Sequence, residues 1–284
     1  MQVETVKTVA TVPALRESVR AWRASGETVA LLPTMGALHE GHLSLAHTGK
    51  QHCDRLITSI FVNPAQFAPQ EDFTTYPRTF EDDLTKLADH DCDLVWAPSA
   101  DVMYPEGFAT HIEPKGTALG LEADFRPHFF SGVATVCCKL FTQAQPDIAL
   151  FGEKDYQQLC VIRQIVRDLD LPLDIVGCET IREPDGLAMS SRNAYLSPAE
   201  RKTAAELHRI ISSMANDFRH GGAPPELSAS AHEQLLETGF DKVDYVEIRD
   251  ALTLQPVSTG ASSSCRVLVA AWLGNTRLID NIPV

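Results

Sequence analysis

Positive charge is scarce in this chain. Lysine and arginine total 24 against 38 aspartates and glutamates, a formal net charge of −14. That balance excludes a broad nucleic-acid-binding surface, which needs a dense basic patch. No apolar run approaches the ~20 residues that a membrane span requires. The opening residues Met1-Gln2-Val3-Glu4-Thr5 lack the basic-then-apolar order of a secretory signal. Seven cysteines are present (Cys53, Cys92, Cys137, Cys138, Cys160, Cys178 and Cys265), an odd number with no Cys-x-x-Cys pair. That pattern argues against a disulfide framework, and thiols buried in a reducing compartment are expected. Internal repeats and low-complexity tracts are also missing. These absences together predict a cytoplasmic protein with no nucleic-acid partner and no membrane partner.

What remains is ordinary globular composition, 44% hydrophobic and 22% charged over 284 residues. That length suits one large domain or two modest ones. Strand-like apolar runs occupy 29–32, 56–62, 94–97, 148–151 and 173–178, with amphipathic stretches at 80–90, 133–143 and 156–169. This alternation predicts an α/β fold, a Rossmann-like parallel sheet with helices on both faces. The pattern changes after residue 193. Ser197-Pro198-Ala199-Glu200 is a capping box that starts a helix running to about residue 220, where Gly221-Gly222 stops it. A loop over 223–228 and a helix over 229–237 follow. Strand-like runs at 243–248, 266–272 and 276–282 close the chain, the last two joined by a Gly274-Asn275 hairpin turn. The expectation is a catalytic domain over 1–183 and a small α+β domain over 184–284 that lies over the site as a lid.

The most informative segment is Pro33-Thr34-Met35-Gly36-Ala37-Leu38-His39-Glu40-Gly41-His42. A strand, a glycine turn and a helix start with two histidines form a phosphate-handling layout, since helix N-termini receive anions. Gly36 and Gly41 admit close approach of backbone to a ligand. His39 and His42, spaced i and i+3, are expected on one helical face. There they would donate hydrogen bonds to charge that builds up during transfer. A zinc site is not expected, because that spacing lacks the i, i+4 pair of a zincin and no third ligand is evident. The remaining histidines singled out, His47, His52, His90, His208, His220 and His232, read as surface residues without partners.

Four further blocks carry chemistry. Asn63 and Gln66, in Asn63-Pro64-Ala65-Gln66, offer amides at a strand's end, suited to hydroxyls or a carboxylate. Arg126-Pro127-His128-Phe129-Phe130-Ser131-Gly132 has a glycine placed for close approach to a ligand and two phenylalanines suited to the core. In Gly152-Glu153-Lys154-Asp155, followed by Gln158, Lys154 is a point charge suited to phosphates. Asp155 suits a cap or a ribose hydroxyl. In Met189-Ser190-Ser191-Arg192, two hydroxyls and a guanidinium suit β- and γ-phosphates, at a junction placed to close over the site.

His-x-Gly-His after a first strand resembles the signature of the nucleotidyltransferase superfamily. The full decapeptide and the four later blocks are similar to the pantoate–β-alanine ligase family, over nearly the whole chain. One departure is Val136-Cys137, where the family usually carries two valines, and it reads as core variation. The resemblance implies ATP-dependent condensation of (R)-pantoate with β-alanine through a pantoyl adenylate, releasing AMP and pyrophosphate. It implies ATP binding by Met35, Gly36, Ala37, Leu38, His39, Glu40, Gly41 and His42. The same role falls to Gly152, Glu153, Lys154, Asp155, Ile181, Met189, Ser190, Ser191 and Arg192. Pantoate and β-alanine fall to Gln66, Gln158, Asn63 and Met35, and catalysis to His42, His39 and Lys154, with His42 the proton donor. Mg²⁺ is expected to accompany ATP, held mainly by phosphates and by Asp82 or Asp83. A homodimer is implied too. The alternatives are another adenylyltransferase of the superfamily and a non-catalytic nucleotide-binding protein.

Overall fold

In the computed structural model, which describes residues 6–68, 71–260 and 264–284, two sheets organise the chain. The first is a six-stranded parallel sheet in the order β1-β4-β3-β2-β5-β6. Its strands are β1 (Thr8–Val9), β2 (Val29–Thr34), β3 (Arg55–Ile60), β4 (Leu94–Trp96), β5 (Ile148–Gly152) and β6 (Asp174–Cys178). The longer helices between them are α1 (Val12–Ala24), α2 (Glu40–His52) and α3 (Phe80–Ala88). After β4 come the single turns α4 (Ala100–Met103) and α5 (Glu122–Phe125), then α6 (Phe129–Ala144) and α7 (Tyr156–Asp168). Leu31 and Ile57 pack into one apolar cluster, whereas Ala30, Leu32 and Leu56 pack into another. Both faces of the sheet are thus covered, and a strand buried on two sides reads as a continuous apolar run. That is why β2, β3 and β5 are legible in the sequence. The edge strand β1, two residues long, carries no such run and is not.

From β2 the chain pairs successively with β3 and β4 on one side, then crosses to β5 and β6 on the other. Strand order therefore reverses between β2 and β5. In open parallel sheets a ligand crevice opens at that reversal, outside the carboxyl ends of the strands. The His39/His42 segment follows β2 directly and the Lys154 segment follows β5 directly, so both lie at this edge.

The second sheet is antiparallel, β7 (Lys242–Asp250), β8 (Cys265–Leu273) and β9 (Thr276–Pro283), preceded by α8 (Pro198–Ala204), α9 (Glu206–Arg219) and α10 (Pro224–Thr238). The expected hairpin is present, with Gly274 at φ 53°. Two expectations need correction. Residues 223–228 are not a loop: Pro224 and Pro225 occupy the first positions of α10, where a missing N–H costs nothing. The helix expected from Ser197 to about residue 220 is interrupted at Ala205.

β8 shows how the sheets meet. Val267, Val269 and Ala271 pack with α9 and α10 residues such as Ile210, Ile211 and Leu235. Leu268 and Ala270, on the opposite face, join the core of the parallel-sheet unit. The C-terminal sheet is therefore sandwiched, and its residues are in register to touch the crevice.

Helix α6 approaches the loop after β3 closely. A Cβ on Gly132 would lie 2.3 Å from the Ala65 carbonyl oxygen and 2.9 Å from the Gln66 nitrogen. The glycine expected to admit a ligand instead admits another stretch of backbone. Gly132→Ala must push Ala65–Gln66 away, and overpacking of this kind costs roughly 1–3 kcal/mol. A lower urea midpoint together with reduced activity is the expected result. An unchanged midpoint would show that the loop yields freely.

Candidate active site

Between the two sheets lies a cavity of about 840 Å³, within the range of small-molecule sites. Of the residues singled out from sequence, Met35, His42, Asn63, Gln66, Lys154, Asp155, Gln158, Ser190 and Arg192 line it. They come from the ends of β2, β3 and β5 and from the segment after β6. Gly36, Ala37, Leu38, His39, Glu40, Gly41, Gly152, Glu153, Ile181, Met189 and Ser191 are absent from its lining. Several of these shape the residues that do line it.

The turn from β2 into α2 is held in an unusual shape. Gly36 has φ 82° and Ala37 φ 51°, a left-handed conformation costly for a residue with a Cβ. Asp83 from α3, 1% exposed, compensates by accepting from the Ala37 and Leu38 amides at 2.9 and 2.8 Å. Thr79 donates to the same carboxylate. Asp83 therefore braces the turn with three of the roughly four acceptor sites of its carboxylate, and Asp82 is exposed. Among the described residues, no group of three or more His, Cys, Asp or Glu side chains is placed to hold a metal ion.

His39 is not on the helix. It is the N-cap of α2, with φ −133° and ψ 174°, and His42 is the third helical residue. The Gly41 amide donates to His39 Nδ1 at 3.1 Å, and the His39 amide donates to His42 Nδ1 at 3.4 Å. The two imidazoles thus form a reciprocal cap, their ring centroids 4.1 Å apart. Because each Nδ1 accepts, each ring carries its proton on Nε2 and presents a donor there. A Cβ on Gly41 would lie 2.8 Å from the His39 ring, so the glycine of His-x-Gly-His makes room for the first histidine.

Both rings are neutral at pH 7. Burial, then the nearby Lys154 ammonium, lowers His39 to about 4. Burial, then His39 and Lys154, lowers His42 to about 3. Each neutral ring keeps a single N–H, on Nε2. Because the folded values lie below the unfolded value near 6.5, protonation favours the unfolded chain. The contribution of these rings to stability is complete above about pH 6.5 and is lost as pH falls through that window toward 4. Thermal midpoints are expected to drop across that window, less steeply in His39→Ala. An equal slope in both proteins would contradict the assignment.

Gln66 and Asn63 are layered. Asn63, 1% exposed, donates to Gln66 Oε1 at 3.0 Å and to the Gly132 carbonyl at 3.2 Å. Its Oδ1 accepts from the Tyr104 hydroxyl at 2.7 Å. Both ends of this amide are engaged within the protein, so it holds Gln66 in place. Gln66 Nε2 lies 3.5 Å from Met35 Sδ. Gln158 is half-buried on the cavity wall, and a Cβ on Gly152 would meet nothing within 4 Å. Phe130, Val136 and Cys137 are buried, as expected of core.

On the opposite wall, Ser191 Oγ donates to the Ala37 carbonyl at 3.0 Å, tying the segment after β6 to the turn after β2. Met189 N donates to the Ile181 carbonyl. Arg192 makes two hydrogen bonds to Asp72, at 3.1 and 3.0 Å. Among the described residues, Lys154 has only a distant counter-charge, Asp155 at 3.8 Å. Four of the six histidines read as partnerless have a hydrogen-bond partner. His52, His90 and His220 bond the carbonyl four residues back, His47 bonds Gln51, and burial lowers the pKa of His208.

With this geometry in place, similarity to known proteins decides the family. A family model described as pantoate–β-alanine ligase matches residues 7–283. The chain belongs to the pantoate–β-alanine ligase family. A pantothenate synthetase of a Bradyrhizobium strain is 55% identical over 272 residues, covering 95% of this chain and 96% of that protein. One from Caulobacter vibrioides is 53% identical, over 97% of this chain and 98% of the other. The crystal structure of the pantothenate synthetase from Thermus thermophilus superposes with a TM-score of 0.91 at 44% identity, covering 98% and 99% of the two chains. That of a pantoate–β-alanine ligase from Francisella tularensis, in complex with an ATP species and β-alanine, has a TM-score of 0.83 at 33% identity, covering 98% and 97%. The protein is therefore a ligase, and its parallel sheet with a small antiparallel C-terminal unit is the fold of its relatives.

Sequence reading missed Tyr104 and Asp72, and it missed the part Asp83 plays in bracing the turn after β2. Each acts on a site residue far away in sequence, and an isolated Asp or Tyr carries no local signal of such a partner.

Proposed function

We propose that the cavity joins pantoate to β-alanine at the expense of ATP in two steps. The pantoate carboxylate oxygen attacks the α-phosphorus of ATP, the bond to the β-phosphate oxygen breaks, and pyrophosphate leaves. The β-alanine nitrogen then attacks the carbonyl carbon of the pantoyl adenylate. The carbonyl–phosphate oxygen bond breaks, AMP leaves, and the nitrogen loses a proton. Such transfers ask for positioning and charge stabilisation more than for covalent help from the protein.

The observation that carries this reading is that His42 and Lys154 line one cavity at the strand-order reversal, next to the Gln66 and Gln158 amides. In it the Nε2–H groups of His39 and His42 bind the α-phosphate, and Lys154, Ser190, Ser191 and Arg192 the outer phosphates. Met35, Gly36, Ala37, Leu38, Glu40, Gly41, Gly152, Glu153, Asp155, Ile181 and Met189 frame the nucleotide. Gln66 and Gln158 orient pantoate with Met35 against its methyl groups, and Asn63 supports Gln66. Mg²⁺ enters with ATP on its phosphates. Phosphates reaching Arg192 must exchange with Asp72.

The same reading divides the chain at residue 183, places the C-terminal unit as a lid, and includes a homodimer in the cytoplasm. Support for a reducing compartment comes from the buried, unbridged thiols of Cys53, Cys92, Cys137, Cys160 and Cys178. Sedimentation of the purified protein tests the dimer. The function is tested by AMP release with ATP, Mg²⁺ and pantoate, with and without β-alanine. Release requiring all substrates, with the amide confirmed by mass, is expected. Pyrophosphate without an amide product would reopen which amine accepts, and no turnover would sink the reading.

A further inference from the structure

The two segments assigned to phosphates, Lys154 and 189–192, are far apart in sequence. Both are fastened to adjacent residues of β9. Asn281 is 3% exposed, and its Nδ2 donates to the carbonyls of Glu153 and Lys154, both at 2.8 Å. These belong to the tight turn Glu153–Asp155, which has no side-chain cap of its own. Only an amide nitrogen can serve two carbonyls at once, so the pair of acceptors sets the orientation of the Asn281 side chain. Its Oδ1 is buried without a partner among the described residues. A buried polar atom left unpaired costs free energy, and a shorter or apolar residue would avoid that cost. The same turn is gripped a second time, where Arg266 of β8 pairs with Glu153 at 2.7 Å.

The preceding residue, Asp280, is 3% exposed. It accepts from Arg182 at 2.7 and 2.9 Å and from the Asn281 amide at 2.7 Å. Arg182 in turn donates to the Gly186 carbonyl at 3.0 Å, within the turn that leads to Met189–Arg192. One point on the last strand thus sets where both walls of the cavity stand.

We propose that Asn281 is a positioning residue for Lys154, and that with Asp280 it forms a clasp holding the Lys154 turn and the 182–192 segment at a set separation. This rests on the ligation reading, in which Lys154 faces ATP phosphates. A rigid hold matters there because an ammonium displaced by about 1 Å can cost 10²-fold in rate.

The test is Asn281→Ala, read in three ways. The kcat of pantoate-dependent pyrophosphate release is expected to fall roughly 10- to 100-fold, with KM for pantoate nearly unchanged. In a Lys154→Ala background the same substitution is expected to cost less than about threefold, because its target is gone. In the absence of substrates, the imidazole titrations of His39 and His42, followed by NMR, are expected to move up from about 4 and about 3 as the ammonium drifts away.

A folded Asn281→Ala protein with wild-type kcat and unmoved titrations overturns the proposal. So does an equal loss with and without Lys154, which would mark a general structural role. Should Asn281→Ala fail to fold, Asn281→Ser, which retains one donor, carries the same three readings with a smaller expected loss. Wild-type protein that releases no pyrophosphate would sink the ligation reading instead, and the histidine titrations would still decide the clasp.

Discussion

Replacing His42 with alanine is expected to slow pantoyl-adenylate formation by roughly 10²–10³-fold, the usual cost of removing one donor aimed at developing charge. The donor is pre-set. With Nδ1 accepting from the His39 amide at 3.4 Å, the Nε2 proton is committed to the cavity, and burial keeps the ring neutral. A neutral donor carries its proton at every pH at which the protein is used, so no acid limb from His42 is expected in the rate between pH 6 and 8. The substitution also removes the acceptor for the His39 amide, which adds a capping loss of about 1 kcal/mol. His42→Asn separates the two effects. Its side-chain oxygen can accept from the His39 amide while the ring donor is gone, so stability should recover and rate should not. Rapid-quench measurement of pyrophosphate from enzyme in excess over ATP is the appropriate assay. A His42→Ala rate near wild type would remove the residue from the mechanism.

The second large effect is expected for Lys154→Ala, again roughly 10²–10³-fold in the adenylation step. Comparison with Arg192 makes the argument. Arg192 is paired with Asp72 at 3.0 Å, so part of any gain with phosphate is offset by breaking that pair. Among the described residues, Lys154 has a carboxylate no nearer than 3.8 Å, and its charge already acts on both imidazoles. The loss is therefore expected to be larger for Lys154→Ala than for Arg192→Ala. Asp72→Asn should lower the KM for ATP, because it frees the guanidinium. Lys154→Arg should recover only part of the activity, since a planar fork does not replace a compact ammonium. Steady-state constants for the four variants give the order. An Arg192→Ala loss exceeding that of Lys154→Ala would mean that Asp72 does not compete.

The Asp83 brace and the imidazole cap explain why the decapeptide is so informative. Gly36 and Ala37 sit at positive φ with their neighbouring amides turned to Asp83. Gly41 is bare because the His39 ring lies where its Cβ would be. Each residue type in the string answers a local steric or hydrogen-bonding need, and local needs leave readable traces. Gly132 shows the limit of such reading. Its glycine is as visible in the sequence as Gly41, yet what it makes room for, the Ala65 carbonyl, lies 67 positions away by residue number.

The sequence by itself determined the parallel sheet, whose inner strands are buried on two faces and so appear as apolar runs. It also determined the position of the glycine turn at the end of β2, the helix capping box at Ser197, and the closing hairpin. Periodicity and turn chemistry are properties of a few consecutive residues, and that is why they could be read. Only the tertiary structure decided that the order of strands reverses between β2 and β5, bringing His42 and Lys154 to one cavity. It alone showed that Asp83 serves a strained turn, that Asp72 holds Arg192, and that Asn281 holds the Lys154 turn from the far end of the chain. A buried Asp or Asn looks the same in sequence whatever it bonds. Its role is set by the partner that folding brings within 3 Å, and that partner leaves no mark on the neighbouring residues.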